Sequence, residues 1–195
     1  MPTVTALRAR GSRVAVELDG RPWRTLSVAS VAEAGLIVGR PLEREHVRDL
    51  ARTLRRERAA AVAVSALARR ERSRADLDAR LARAGVRDVE RRETVEQAAR
   101  AGLVDDARFA AARAQQLAGR GAGDALVLAD LAHHGVDDPI AREAVSQLEP
   151  EPLRAARIVR SRGRSPRTLR YLAARGFGEE SLDDLIAELE DAALP

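Results

Sequence analysis

The sequence contains no cysteine, no lysine and few aromatic residues. Because cysteine is missing, disulfides, zinc–thiolate sites and thiol catalysis are excluded. Aromatic residues make up 2% of the chain, so the core must be built from thin aliphatic side chains, which suits closely packed helices better than a broad β-sandwich. The aromatic residues are Trp23, Phe109, Tyr171 and Phe177.

Two further signals are missing near the N-terminus and along the chain. There is no basic and then apolar segment of the kind that directs secretion, and no apolar run approaches about 18 residues. We therefore expect a cytoplasmic protein without a membrane partner. The length of 195 residues allows one or two ordinary domains or a short array of repeats.

Alanine, leucine and arginine dominate the residues that are present, and all three are strong helix formers. Apolar residues make up 45% and charged residues 33% of the chain, so it can bury a core and is not a disordered tail. All 34 lysine or arginine positions are arginine. GC-rich codon usage is the ordinary explanation, but the consequence is physical, because an arginine fork can bind a carboxylate or a phosphate through two hydrogen bonds.

The β signal is confined to the N-terminal part of the chain, and none follows residue 57. Residues 4–9 and 13–18 are β-prone, and Val14, Val16 and Leu18 alternate with polar or small residues. Asp19-Gly20 is typical of a hairpin turn, and residues 24–28 are suited to a returning strand. We predict a small β-hairpin or a three-stranded sheet.

Two helices are predicted directly after this sheet. Ser30 and Glu33 fit a capping box that would begin a short helix, and Gly35 would end it. Pro41 would then begin a second helix that runs to about Arg56.

From about residue 57 onward the pattern is helical and contains a repeated motif. Each copy has a leucine, three residues, a glycine and an apolar residue. A glycine just beyond a helix takes the left-handed conformation that stops it, and the apolar residue after it folds back onto the leucine in a Schellman motif. The copies are Leu81 with Gly85 and Val86, Leu131 with Gly135 and Val136, and Leu172 with Gly176 and Phe177.

Serine and aspartate, which cap helix N-termini, recur between these glycines. Each interval between the glycines has room for about three short helices, which predicts a tandem array whose units bury their faces against neighbours. The predicted caps are Ser73 with Asp76, Asp88, Asp105 or Asp106, Asp138 with Pro139, Ser165 with Pro166, and Ser181 with Asp184.

Charge is segregated within the helical part. Residues 154–175 contain eight arginines and no acid, residues 179–191 contain seven acids and no basic residue, and a second basic stretch surrounds Glu71. Solvated helix faces paired with nearby acids would explain any single arginine. The unbroken run favours instead a surface for phosphates or for an acidic partner. The candidates are Arg69, Arg70, Arg72, Arg74, Arg160, Arg162, Arg164, Arg167 and Arg170.

Three other motifs are better explained by structure than by chemistry. Asp105 and Asp106 are adjacent at a helix start, where they point apart and a cap accounts for them. His133 and His134 have no cysteine and no evident third ligand for a metal. Residues 120–124 are glycine-rich but lack the lysine and the preceding strand of a phosphate loop. We therefore expect no catalytic residue, no metal, no cofactor and no small-molecule substrate.

Several stretches of the chain resemble the RecX family. Residues 72–77, followed by Leu81 and Gly85-Val86, are similar to the motif that opens the first repeat of that family. Residues 102–110 are similar to the Gly-Leu-Leu-Asp-Asp … Phe-Ala segment that follows it. Residues 14–20 resemble its leading strand and turn, and Ala66-Leu67 with Arg70 resembles the helix before the first repeat. The likeness covers nearly the whole chain and is clearest over residues 60–136.

The resemblance implies a mainly α fold with three tandem three-helix repeats, which we expect as an elongated array after a small segment that contains a β-hairpin. The expected boundaries are residues 1–56 for the N-terminal segment and 57–104, 105–150 and 151–195 for the repeats. Residues 149–152, which alternate glutamate and proline, mark a break between modules.

The resemblance also implies a partner, the RecA recombinase. A RecX protein would lie in the groove of the RecA–DNA filament, block strand exchange and ATP hydrolysis, and alter filament assembly in DNA repair, homologous recombination and the SOS response. Any contact with DNA would be to its phosphate backbone. The residues alone leave an alternative open, a sequence-independent DNA-binding helical module without a recombinase partner.

The chain departs from the family pattern in the second repeat. Ala122-Gly123-Asp124 and His133-His134 stand where more basic residues would be usual, which leaves the electrostatic contacts of that repeat open.

Overall fold

A computed structural model describes residues 1–183, 186 and 187. They fall into two units: the first comprises Met1–Ser65 with Leu81–Thr94, and the second comprises Ala66–Arg80 with the described residues from Val95 onward. The fold is mainly helical with one small antiparallel sheet, which confirms the predicted fold class. Asp184, which is predicted to pair with Ser181 at a helix start, and the acids in residues 188–191 lie outside the described residues.

The first unit contains the predicted sheet, which has three strands in the order β1–β2–β3. The strands are β1 (Val4–Arg10), β2 (Arg13–Leu18) and β3 (Arg21–Ser27). Asp19 and Gly20 join β2 to β3 with positive φ angles of 50° and 77°, as a type I′ turn requires. Gly11, with a φ of 58°, and Ser12 form a second turn. Our prediction missed it, although Gly-Ser between two β-prone runs is itself a hairpin signal.

Two helices follow the sheet, α1 (Val28–Glu33) and α2 (Arg44–Leu67). The alternation predicted for β2 places Val16 in the core, where it belongs to one cluster with Leu26 of β3 and Leu50 of α2. The prediction for α2 was wrong at both ends, since the helix begins after Pro41 and continues well beyond Arg56. The alanine-rich residues 59–66 favour helix and include neither glycine nor proline that would end it.

The start of α1 also differs from the prediction. Its N-cap is Ser27, whose Oγ accepts the backbone N–H of Ser30 at 2.9 Å. Ser30 is therefore inside the helix, where it is fully buried and donates its hydroxyl to Glu57 at 2.6 Å. Gly35 ends the segment as predicted, with a φ of 58°.

The other described helices follow in chain order, and none in this part of the chain is long and apolar enough to cross a membrane. They are α3 (Arg74–Arg83), α4 (Asp88–Arg100), α5 (Asp106–Gly119), α6 (Asp124–His133), α7 (Asp138–Ser146), α8 (Glu151–Arg162) and α9 (Pro166–Ala174), followed by a 3₁₀ turn at Glu179–Ser181.

The predicted glycine stops are confirmed at α3, α6 and α9. Gly85, Gly135 and Gly176 have φ angles of 73°, 67° and 79°. In each case the N–H of the following apolar residue bonds back to the leucine carbonyl, at 3.1 Å for Val86, 3.1 Å for Val136 and 3.2 Å for Phe177. Two further stops of the same kind, which we did not predict, end α4 at Gly102 and α5 at Gly121.

Three predicted helix caps are confirmed and two are displaced. The side chains of Ser73, Asp105 and Ser165 each accept a backbone N–H three residues later, at 3.0, 3.0 and 3.2 Å. Asp88 and Asp138 are instead the first residues of α4 and α7. The prediction was therefore wrong by one position. Acidic residues in a first turn are still stabilised by the helix dipole, which explains why both aspartates lie near a helix start.

In the second unit, the C-terminus of one helix meets the N-terminus of an earlier one. The N–H of Gly123 donates to the carbonyl of Arg175 at 2.8 Å, and that of Ala125 donates to the carbonyl of Gly176 at 3.2 Å. Carbonyls at the end of α9 therefore accept backbone N–H groups at the start of α6. The end of α6 meets the start of α3 in the same way, because the Ser73 hydroxyl donates to the carbonyl of His134 at 2.6 Å.

Acidic residues at the starts of α5 and α8 complete both junctions. Asp106 accepts the N–H of Arg74 at 2.8 Å. Glu151 accepts the N–H of Asp124 at 2.5 Å and that of Gly178 at 3.0 Å. Burial opposes ionisation of Glu151, but these hydrogen bonds and a third from the Ser181 hydroxyl outweigh it and keep its pKa below the usual value.

The same junction explains why glycine stands at position 123. A Cβ there would lie 2.2 Å from the carbonyl oxygen of Gly176, which is backbone and cannot turn aside. The glycine at this position therefore follows from the close packing of two backbones.

We expect Gly123→Ala to lower the free energy of unfolding by about 1–3 kcal/mol, because the added methyl group forces α6 and α9 apart. Gly119→Ala is the matched control, since a Cβ there meets nothing within 4 Å and alanine favours the helix by up to about 1 kcal/mol. Urea denaturation followed by circular dichroism measures both. Equal stability of the two variants would contradict the proposed close contact.

In the first unit, Glu90 links α4 to α2. It is 3% exposed and accepts hydrogen bonds from Arg55 Nε at 2.9 Å and Arg87 Nε at 3.0 Å. The hydrogen bond from Arg87 is the largest influence on its pKa; together with Arg55 it outweighs burial and lowers the pKa of Glu90 to about 2.

We expect Glu90→Gln to destabilise the protein by roughly 2–3 kcal/mol at neutral pH and by progressively less in acid. The folded pKa lies below the ordinary value of 4.5, so the contribution is complete above that pH and is lost as the pH falls toward about 2. Urea denaturation at about pH 7 and about pH 3 measures the difference. Glu93→Gln is the control, because that exposed pair with Arg56 should contribute little at either pH.

Candidate arginine interface

The nine candidate arginines form two groups in the second unit. We call residues 69–74 the α3 group, because they lie just before and at the start of α3, and residues 160–170 the α9 group, because they surround the start of α9. The two helix starts occupy corresponding positions, because α3 and α9 each follow a longer helix and each end at a glycine stop. At the third such position, the start of α6, the corresponding residue is the acidic Asp124.

In the α3 group, the side chains differ in how firmly they are held. Arg69 and Arg70 are exposed. Arg72 is half-buried, and its Nε donates to the carbonyl of Ala66 at 3.3 Å. Arg74 is exposed and forms a loose ion pair with Glu96 at 3.3 Å. Exposed pairs of this kind contribute little to stability, so Arg74 can exchange its carboxylate for another anion.

Arg108 joins the α3 group in space, although the prediction did not include it. Its Nε lies 2.5 Å from Glu71 Oε1, so it neutralises the acid that interrupts the basic stretch. The hydrogen bond to Glu71 raises the pKa of Arg108, and this outweighs partial desolvation. Its position within the motif of residues 102–110 was the signal that could have identified it.

A groove of about 390 Å³ lies beside the α3 group. Several of the polar side chains that line it have partners. Arg113 forms a bidentate ion pair with Asp130, in which its Nε and Nη2 lie 2.7 and 2.8 Å from the two carboxylate oxygens. This pair lowers the pKa of Asp130. His134 Nδ1 lies 3.1 Å from Asp76. These pairs position helices. The lining residues include Arg70, Glu71, Asp76, Phe109, Arg113 and His134.

His134 of the His-His motif has a structural role. Its ring packs edge-on against Phe109, with centroids 5.4 Å apart, and its carbonyl belongs to the junction with Ser73. In the described part of the chain, no group of three histidine or acidic side chains is placed to hold a metal.

The eight arginines of residues 154–175 divide into structural and surface residues. Arg154 is 6% exposed; it donates to the carbonyl of Ala122 at 2.7 Å and forms an ion pair with Asp124. Arg175 donates to the carbonyls of Gly121 at 3.0 Å and Arg120 at 2.6 Å. Arg157 pairs with Glu149. Arg154 and Arg175 thus hold α8 and α9 in place, whereas the exposed pair of Arg157 contributes little; none of the three was among the nine candidates.

The α9 group is exposed throughout. Arg162 lies over the ring of Tyr171, with its guanidinium carbon 3.8 Å from the ring centroid, and this cation–π contact holds the guanidinium at the surface. The other members are Arg160, Arg164, Arg167 and Arg170. Among the described residues, no carboxylate lies within ion-pair distance of Arg167 or Arg170.

The two kinds of arginine should respond differently to truncation. We expect Arg154→Ala to destabilise the protein by about 3 kcal/mol, because it leaves Asp124 without its cation at a half-buried site. Arg167→Ala should change stability by less than about 0.5 kcal/mol, because that side chain is exposed. Thermal unfolding of both variants measures the contrast, and similar losses would show that the division is wrong.

Comparison with known proteins identifies relatives of this chain. No protein-family model matches the chain. The regulatory protein RecX of Chromohalobacter salexigens is 36% identical over 134 residues, which are 64% of this chain and 88% of that protein. The regulatory protein RecX of Syntrophotalea carbinolica is 43% identical over 91 residues, which are 46% of this chain and 59% of that protein.

A solved structure agrees with these relatives. The crystal structure of a regulatory protein RecX has a TM-score of 0.75 with this chain at 15% identity, and the match covers 96% of this chain and 100% of that one. At such low identity the likeness shows a shared fold alone. Together with 36% identity across most of a curated relative, it shows that this chain belongs to the RecX family of regulatory proteins.

Proposed function

We propose that this chain regulates a RecA-type recombinase by binding along its DNA filament through the α3 and α9 groups. The observation that carries the proposal is the placement of two exposed arginine groups at corresponding helix starts of one unit. Membership in a family of proteins named as regulators supports a role without catalysis. The arginines could contact acidic side chains of the recombinase or phosphates of the DNA that it holds.

Two separate basic surfaces suit a polymeric partner. Each exposed arginine contributes little alone, because water and salt screen it. When one unit carries two such surfaces, the second contact forms at a high effective concentration, and the combined affinity exceeds either one. A filament offers the repeated sites that such a unit needs. Its binding would hinder the subunit movements that accompany ATP hydrolysis and strand exchange. The site of action would be the cytoplasm, where the filament assembles.

The expected result is that the purified chain inhibits the DNA-dependent ATPase of the recombinase from the same organism at near-stoichiometric ratios. Charge reversal of Arg70 and Arg74 together, or of Arg167 and Arg170 together, should raise the half-inhibitory concentration at least about tenfold. These pairs are used because Arg72 is half-buried and its reversal would disturb the fold. An ATPase titration measures the effect.

Arg142→Glu is the matched control. Arg142 is exposed on α7, outside both groups, and pairs only across one helical turn with Asp138, so its reversal should leave inhibition unchanged. No inhibition at large excess of the native chain would contradict the function. Unchanged inhibition by both double variants would contradict the assigned surfaces.

The second candidate function is a DNA-binding module that needs no recombinase. The excess of exposed arginine around α9 favours it, since backbone phosphates are sufficient ligands for such a surface. Under this alternative, naked DNA binds tightly, the logarithm of the affinity falls linearly with the logarithm of the salt concentration, and adding recombinase changes nothing. A fluorescence anisotropy titration with and without the recombinase distinguishes the two functions.

A further inference from the structure

The first unit contains an apolar groove of about 410 Å³ between β3 and α2. We call it the Trp23 groove. Its floor is aliphatic and aromatic, and part of it faces solvent, since Val47 is 41% exposed and Trp23 is only half-buried. The floor residues are Trp23, Val47, Leu50, Ala51 and Leu54. Partly exposed apolar side chains that are ringed by charged ones are a common feature of binding sites.

The rim of the Trp23 groove is basic. Three arginines line it, namely Arg24, Arg55 and Arg58, and no acid is among the described residues that line it. Arg55 is engaged by the buried Glu90 at 2.9 Å. Arg58 donates to the carbonyl of Ala84 at 3.0 Å, and this neutral acceptor does not compensate its positive charge. The Arg24 guanidinium lies 5.7 Å from the centroid of the Trp23 ring.

The surrounding sequence adds to this positive field. Residues 1–58 contain 12 arginines and 7 acids, so this part of the chain carries a net charge of about +5, which exceeds the +4 of the whole chain. A long-range field of this sign attracts acidic ligands and speeds their association.

The residue types in the groove also match those that dominate binding energies. Tryptophan and arginine are the residues most enriched at the energetic centres of protein interfaces. This chain has one tryptophan, and Trp23 lies at the groove with Arg24 beside its ring. One side of Trp23 packs against the core cluster of the first unit, and the remaining half-exposed surface is available to a ligand.

We propose that the Trp23 groove binds an acidic amphipathic segment of a partner protein. Its apolar side chains, at helical spacing, would cover Trp23, Val47 and Leu54, and its carboxylates would pair with Arg24 and Arg58. This inference goes beyond the proposed function, because it concerns the first unit and holds for whichever protein carries the segment.

Other occupants fit the groove less well. A nucleic acid would satisfy the arginines, but its phosphates would leave the aliphatic floor uncovered. A second copy of this chain could offer its acidic residues 179–191. However, Leu182 in that stretch is buried in a core cluster of the second unit, where Ile186 packs against it, so these two apolar side chains are already occupied.

The single tryptophan makes the groove directly observable in the full-length chain. The probe is a synthetic peptide of roughly 15–18 residues, long enough to form a helix, with leucine or phenylalanine at i, i+3, i+4 and i+7 and glutamate at most other positions. We expect this peptide to shift the Trp23 emission to shorter wavelength with a dissociation constant in the roughly micromolar range. The same peptide with lysine in place of glutamate should not bind.

Variants test the floor and the rim separately. Val47→Glu should weaken peptide binding at least about tenfold, and the double reversal of Arg24 and Arg58 should do the same. Val64→Glu is the matched control, because Val64 lies on the same helix, is 63% exposed and is outside the groove; it should bind as the native chain does. Circular dichroism confirms that each variant is folded.

Three results would overturn the proposal. The first is no change in Trp23 emission and no heat of binding with the glutamate peptide. The second is equal binding of the lysine peptide, which would show that charge plays no part. The third is native-like binding by Val47→Glu and by the double arginine variant, which would place the peptide elsewhere.

Discussion

The second unit depends on backbone groups at one helix end being satisfied by another helix. The first N–H groups and the last carbonyls of every helix lack partners within that helix. A left-handed glycine at the end of α9 turns the carbonyls of Arg175 and Gly176 outward, where the start of α6 donates to them. At the end of α6, the carbonyl of His134 likewise accepts a hydrogen bond from the Ser73 hydroxyl at the start of α3. One device therefore stops a helix and also joins it to an earlier helix of the chain.

Such junctions require the backbones to approach closely, and this explains much of the composition. A Cβ on Gly135 would lie 2.5 Å from the Cβ of Ala75, and one on Gly176 would lie 2.6 Å from the backbone nitrogen of Leu126. Bulky side chains at these positions would separate the helices. The abundance of alanine and the scarcity of aromatics follow from helix starts and ends that are packed this tightly.

The local part of this arrangement could be predicted from sequence, because a glycine stop and its leucine lie within about one helical turn of each other. The partner of each stop could not be predicted, because Gly176 and Gly123 lie far apart in the chain and neither motif indicates that the other contacts it. The same limit applies to the arginine run. Arg154 and Arg167 look alike in sequence, but Arg154 is buried against Ala122 and Asp124. Only the tertiary fold separates an arginine that joins helices from one that faces solvent.

The four aromatic residues show the same division between structure and surface. Phe109 and Phe177 are 8% and 5% exposed and belong to the cores of the second unit. Trp23 and Tyr171 are half-buried, and each has an arginine over its ring, Arg24 in one case and Arg162 in the other.

An arginine that lies on an aromatic ring is held in place without losing its charge, because the ring attracts the cation but does not neutralise it. Less entropy is then lost when an anion binds, since the guanidinium is already positioned. In a chain with so few aromatic rings, both half-exposed ones are used in this way. Tyr171 lies directly beside the α9 group and Trp23 lies in the Trp23 groove, so each unit presents a preorganised arginine at the surface where we place its partner.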